Sequence, residues 1–136
     1  MQPGDVIFFK DFLFSDGNRA PKWFVVLNHT DKVESTLLLK TTSQPDRYKG
    51  CSRGCNKAPS PVFFAPCDWQ TCFTLDTYIQ IPWIIPYLTA EVDGLFKVEV
   101  IKPRGSLTND CLAQLKSCLA TFKDDIAPTH WDLIYK

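Results

Sequence analysis

The sequence predicts a mainly β domain, β plus α, with one C-terminal helix, and three observations carry that reading. Short runs rich in β-branched and aromatic residues recur at 4–10, 22–29, 36–42, 61–65, 77–82 and 95–101, separated by Gly, Pro and polar turns. Ten Phe, four Trp and four Tyr stand against one Met, the composition of an aromatic, β-rich core. Near the C-terminus the apolar period changes: Leu107, Cys111, Leu112, Leu115, Cys118, Leu119 and Phe122 fall at helical spacing. A chain of 136 residues suits a single domain, 1–136, and one of that length buries about two-thirds of its unfolded surface.

The first strand, Gly4-Asp5-Val6-Ile7-Phe8-Phe9, leads through Lys10-Asp11-Phe12-Leu13-Phe14 into the turn Ser15-Asp16-Gly17-Asn18-Arg19-Ala20-Pro21. Lys22 opens the second, Trp23-Phe24-Val25-Val26-Leu27-Asn28, and Thr36-Leu37-Leu38-Leu39-Lys40 forms the third, closing in Thr41-Thr42-Ser43-Gln44. Residues 45–61 hold Gly50, Gly54 and Pro59 without apolar periodicity and read as a long exposed loop carrying Arg47, Lys49, Arg53 and Lys57. Pro82 and Pro86 argue against a central strand in Pro82-Trp83-Ile84-Ile85-Pro86, which reads as an edge or a partner surface. A last strand over 95–101 stops at Pro103 and Gly105, and the helix over 108–123 takes Thr108 or Ser106 as its cap. Trp131, Leu133, Ile134 and Tyr135 give the tail enough apolar surface to pack.

Fifteen basic and fifteen acidic residues cancel, so the chain lacks the global charge of a general nucleic-acid binder, although a local cationic rim can act alone. The N-terminus has no basic segment followed by an apolar core, and no apolar run reaches the length of a membrane span. A cytoplasmic chain without membrane contact is the expectation.

A Gly-Asp-Val start, a turn, a basic residue before an apolar Val-Val-Leu strand, and then Thr-Thr-Ser-Gln resemble the MazF/PemK toxins, endoribonucleases of bacterial toxin–antitoxin pairs. The likeness covers roughly the first third of the chain and continues weakly through Leu75-Asp76-Thr77-Tyr78-Ile79 to the helix. It implies a small SH3-like barrel, metal-free cleavage of single-stranded RNA through a 2′,3′-cyclic phosphate, a homodimer and a neutralising antitoxin. No cofactor is implied.

Such cleavage needs a group to take the 2′-hydroxyl proton, donors to hold the phosphorane charge and an acid for the leaving oxygen. On the family pattern Lys22 takes the position of an arginine, and Thr41 or Thr42 that of a threonine. Lysine for arginine is a departure, since an ammonium is a point charge where a guanidinium grips phosphate with a planar fork. Lys22 is therefore assigned charge stabilisation, with Arg19 available as a guanidinium. Ser43, Gln44, Arg47 and Tyr48 are candidate substrate-binding residues; the loop from Arg47 to Lys57 sets basic residues around Tyr48, a pattern that suits single-stranded RNA and equally reads as a solvated loop. Asp68 matches a family aspartate weakly. Taken singly, Lys22 also reads as a solvated strand-start lysine, Thr41-Thr42-Ser43 as a strand end turning on hydroxyl-to-backbone bonds, and Asp68 as a surface turn residue. His29 and His130 read as structural.

Six cysteines allow several readings. Cys51, Cys55, Cys67 and Cys72 supply four thiols for a zinc ion, but at looser spacing than paired Cys-x-x-Cys. Cys111 and Cys118 sit on the apolar helical stripe as small core residues. Ordinary reduced cysteines are the main expectation, with zinc bracing the loop as the alternative, and a disulfide framework is not expected without secretion.

Two functions compete with the endoribonuclease. One is a barrel that binds without cutting; the other is a gyrase poison acting on protein, which changes around residues 119–131 would blunt. The segment Trp83-Ile84-Ile85 is the expected dimer contact.

Overall fold

The computed structural model describes residues 1–58, 60–70 and 72–136. It is a seven-stranded antiparallel sheet with helices on its faces, the mainly β class expected. The strands are β1 (Asp5–Leu13), β2 (Arg19–Val26), β3 (Ser35–Thr42), β4 (Gly54–Asn56), β5 (Val62–Ala65), β6 (Thr77–Leu88) and β7 (Ile101–Ser106). They lie in the order β4-β5-β6-β3-β2-β1-β7. The helices are α1 (Cys67–Gln70), α2 (Thr89–Lys97), α3 (Asn109–Ala120) and α4 (Pro128–Tyr135).

The near-continuous apolar runs of β1, β2 and β3 have a simple cause: both faces of these strands are buried. Val6, Val25, Leu37 and Leu39 point to one core, which Leu115 and Leu119 of α3 and Ile134 of α4 cover. Ile7, Phe9, Phe24, Val26 and Leu38 point to the other, closed by Val92 of α2. Thr108 caps α3, its hydroxyl accepting from the Cys111 amide at 3.2 Å.

Gly4 joins strand and helix. Its amide donates to Val26 and its carbonyl accepts from Leu107, both at 2.8 Å. With φ of +90° and Leu112 3.0 Å from where a Cβ would sit, the position favours glycine. The Asp5 carboxylate accepts from the Gln2 amide and the Ser106 hydroxyl, so the Gly-Asp start organises the chain rather than chemistry.

Four expectations need correction. Residues 95–97 end α2 instead of opening a strand, because Val92, Leu95 and Phe96 fall at i, i+3 and i+4 and pack on the second core. The last strand is β7, which runs through Pro103 and Gly105; as a sheet edge it tolerates a missing amide. Pro82 and Pro86 lie within β6, where β5 pairs only along residues 77–79 and the register to β3 breaks between Ile79 and Ile84. Pro82 therefore occupies an irregular stretch of the ladder, and Pro86 pairs with β3 alone. Finally, the loop over 45–61 contains a 3-10 turn (Pro45–Tyr48) and the three-residue strand β4; Pro59 lies outside the described residues.

Candidate phosphate-binding pockets

Lys22 stands between two pockets at one end of the β2–β3 pair. The first, about 280 Å³, is lined by Phe14, Lys22, Lys40, Thr42, Gln44, Arg47 and Gln80. The second, about 260 Å³, shares Lys22, Thr42 and Gln44 and adds Pro21, Trp23, Thr41, Ser43 and the segment from Phe73 to Leu75.

Strand register explains the grouping. Phe24 pairs with Lys40, so two residues back along β2 and two on along β3, Lys22 and Thr42 come onto the same face. Lys22 is half-buried and reaches to 5.8 Å from the Phe14 ring centroid. Burial first, and then the nearby charges of Lys40 and Arg47, lower the pKa of its ammonium below the ordinary 10.5. No aspartate, glutamate or histidine lines either pocket among the described residues. Cations without counter-charges attract an anion, and phosphate is the anion a planar guanidinium and two ammoniums hold well.

The hydroxyls divide by role. Thr41 is buried and donates to the Trp23 carbonyl at 3.0 Å, so it joins β2 to β3. Thr42 Oγ1 accepts from the Gln44 amide at 3.2 Å and shapes the chain as it leaves β3. Thr77 donates to the Leu75 carbonyl at 2.9 Å. Ser43, Gln44 and Thr74 are exposed.

The turn that carries Arg47 is anchored through the next residue. Tyr48 stacks on Tyr78 with centroids 5.4 Å apart, Tyr78 stacks on Phe64 at 4.7 Å, and Gln80 donates to the Tyr48 hydroxyl at 3.1 Å. Tyr48 thus anchors the basic loop, with one ring face already covered. The other loop cations go elsewhere; Arg53 stacks 4.3 Å from the Trp69 ring.

Of the residues singled out from the sequence, Lys22, Thr41, Thr42, Ser43, Gln44 and Arg47 come together around these pockets. Arg19 does not line them and pairs with Asp11 at 3.4 Å. Asp68, exposed on α1, lies outside both pockets, and Asp76 instead accepts from the Cys67 amide at 2.9 Å. Sequence reading missed the roles of Lys40 and Gln80. Both carried a signal: Lys40 lies two residues before Thr42, and Gln80 interrupts the apolar run of β6.

The cysteines also need correction. Cys55 of β4 is joined to Cys118 of α3 by a disulfide, so neither is an ordinary reduced thiol and Cys55 is withdrawn from the proposed zinc set. No group of three or more metal-ligating side chains gathers among the described residues. Cys51, Cys67, Cys72 and Cys111 are free. Burial pushes the Cys72 thiol up to about 11 and, with Cys72 nearby, the Cys111 thiol up to about 12. Burial raises Cys51, and a hydrogen bond to Asp76 raises Cys67. A raised pKa keeps a thiol protonated at neutral pH and weakens it as a nucleophile.

Compared with known proteins, the chain matches no protein-family model and no curated protein. Among the described residues no helix is long and apolar enough to cross a membrane.

Proposed function

We propose that the chain is a MazF/PemK-like endoribonuclease that cuts single-stranded RNA without a metal, acting as a homodimer restrained by an antitoxin. The observation that supports it most is the convergence of Lys22, Lys40 and Arg47 on one pocket bordered by Thr42 and Gln44. In the proposed reaction the 2′-oxygen attacks phosphorus and the bond to the 5′-oxygen breaks. The 2′-hydroxyl loses its proton, the 5′-oxygen gains one, and a cyclic phosphate remains. Lys22, Lys40 and Arg47 hold the charge that accumulates on the phosphorane oxygens. With its pKa lowered, Lys22 is also the lining group best suited to exchange a proton.

A second reading is a module that binds a phosphate-bearing strand without cutting it. It draws support from Thr41, whose hydroxyl is engaged by Trp23, and from the lack of carboxylate or imidazole along the described pocket walls.

Pure protein incubated with labelled single-stranded RNA and a chelator decides between them. Discrete cuts with cyclic-phosphate ends, absent from Lys22→Ala, are expected. RNA retained but left intact by a folded protein favours the binding module. The dimer is proposed to form around Trp83, which is 70% exposed, whereas Ile84 and Ile85 pack toward the two cores. A strictly monomeric sedimentation profile at high concentration would refute that part.

A further inference from the structure

The pocket of about 260 Å³ differs in chemistry from its cationic neighbour. Among the described residues Lys22 is the only charged one along it, and Pro21, Trp23, Phe73 and Leu75 give it apolar walls. We propose that this chamber receives one nucleobase of a bound strand and that the Gln44 side chain reads that base. The inference rests on the phosphodiester reading above and names the part of the strand beside the bound phosphate.

Three features carry it. The two pockets share Lys22, Thr42 and Gln44, so whatever fills one lies directly beside the anion held in the other. A nucleotide joins an anion to a flat polar ring in that way. The volume falls just below the roughly 300 Å³ at which pockets for drug-sized ligands begin, which suits one ring system. Leu75 is 60% exposed and Pro21 is exposed, both at this pocket, and a planar ring laid there would cover apolar surface now facing water.

Hydrogen-bonding capacity supplies the specificity. Thr41 and Thr77 spend their hydroxyl protons on the Trp23 and Leu75 carbonyls, and Thr42 accepts from the Gln44 amide. Among the described residues the Thr42 hydroxyl proton, the Ser43 and Thr74 hydroxyls and the Gln44 carboxamide are not spent in this way and remain to meet a ligand. A carboxamide offers an acceptor and two donors in one plane, matching a base edge that presents both kinds of group. A base with the wrong edge leaves that amide unpaired.

The test uses 2′-deoxy pentanucleotides of A, C, G or U, which bind but cannot form a cyclic phosphate, with fluorescence anisotropy as the readout. Wild type is expected to prefer one base by about fivefold or more. Gln44→Ala, with an unchanged thermal melt, should bring the four affinities together within about twofold, while Lys22→Ala weakens all four alike. Equal wild-type affinity for all four, no binding at all, or a preference that survives Gln44→Ala would overturn the proposal. Ribonucleotide versions run in parallel separate the two ideas. If they are discriminated by base yet never cut, the endoribonuclease reading fails and the base chamber stands.

Discussion

Thr41 and Lys22 sit in the same pocket, yet the structure gives them different work. The buried Thr41 hydroxyl donates to the Trp23 carbonyl, so Thr41→Val leaves that carbonyl without this donor and should cost about 1–2 kcal/mol in a denaturant melt. Thr41→Ser keeps the donor and should retain most of the stability. If Thr41→Val instead leaves stability unchanged and removes RNA cleavage, the hydroxyl acts in chemistry. Lys22 carries the opposite expectation. Its charged form is disfavoured in the fold by burial, Lys40 and Arg47, which hold its pKa below the ordinary 10.5. The folded chain therefore binds fewer protons than the unfolded one between the lowered pKa and 10.5, and stability rises with pH across that window. Lys22→Met should raise stability at neutral pH by under about 1 kcal/mol, since solvent screens a half-exposed group. That gain should shrink as pH climbs toward 10.5, while wild-type affinity for the phosphodiester falls over the same range. Lys22→Arg should hold its affinity there, because a guanidinium stays charged. Affinity that follows the same pH curve in both proteins would remove Lys22 from the anion site.

Among the elements, β4 depends most on a single covalent bond. It has three residues, pairs among the described residues only with β5 and stands at a sheet edge, yet it closes the loop that holds Arg47. The Cys55–Cys118 disulfide spans 63 residues and ties β4 to the buried face of α3. Its loss in Cys55→Ser should cost about 2–4 kcal/mol in a denaturant melt, and amide exchange over 45–58 should accelerate while β2 and β3 stay protected. Unchanged exchange there would mean that β5 pairing alone secures the loop. Neither β4 nor the disulfide was legible in advance, because Gly54-Cys55-Asn56 is too short to show a period and spacing does not reveal which cysteines meet. The α3 reading succeeded where signals agreed: an apolar stripe, a threonine cap and a length of several turns. The 95–101 strand failed because Phe96-Lys97-Val98-Glu99 alternates locally, whereas Val92, Leu95 and Phe96 pack at helical spacing. For the pockets, the order of Lys22 and Thr41-Thr42-Ser43-Gln44 along two adjacent strands sufficed. Lys40 and Gln80 needed the register between strands, which a single sequence leaves open.

At the scale of the whole molecule, zero formal net charge and a local cationic pocket make a quantitative demand on binding. A chain with cancelling charges gains little from long-range attraction to RNA, so affinity should come from the phosphates that Lys22, Lys40 and Arg47 touch. Each single-strand phosphate neutralised contributes about −0.7 to the slope of log K against log salt. Three cations then give a slope of about −2, and Lys22→Ala should make it shallower by about 0.7. Anisotropy titrations of a short single-stranded RNA between 50 and 300 mM salt, roughly the range over which such slopes are linear, provide the measurement. A slope near −2 that Lys22→Ala lowers means the pocket holds the strand by itself. A much steeper slope brings in Lys49, Arg53 and Lys57 of the basic loop and makes the RNA path longer than one pocket. A slope near zero points away from nucleic acid, because no phosphate backbone binds three cations without releasing counterions.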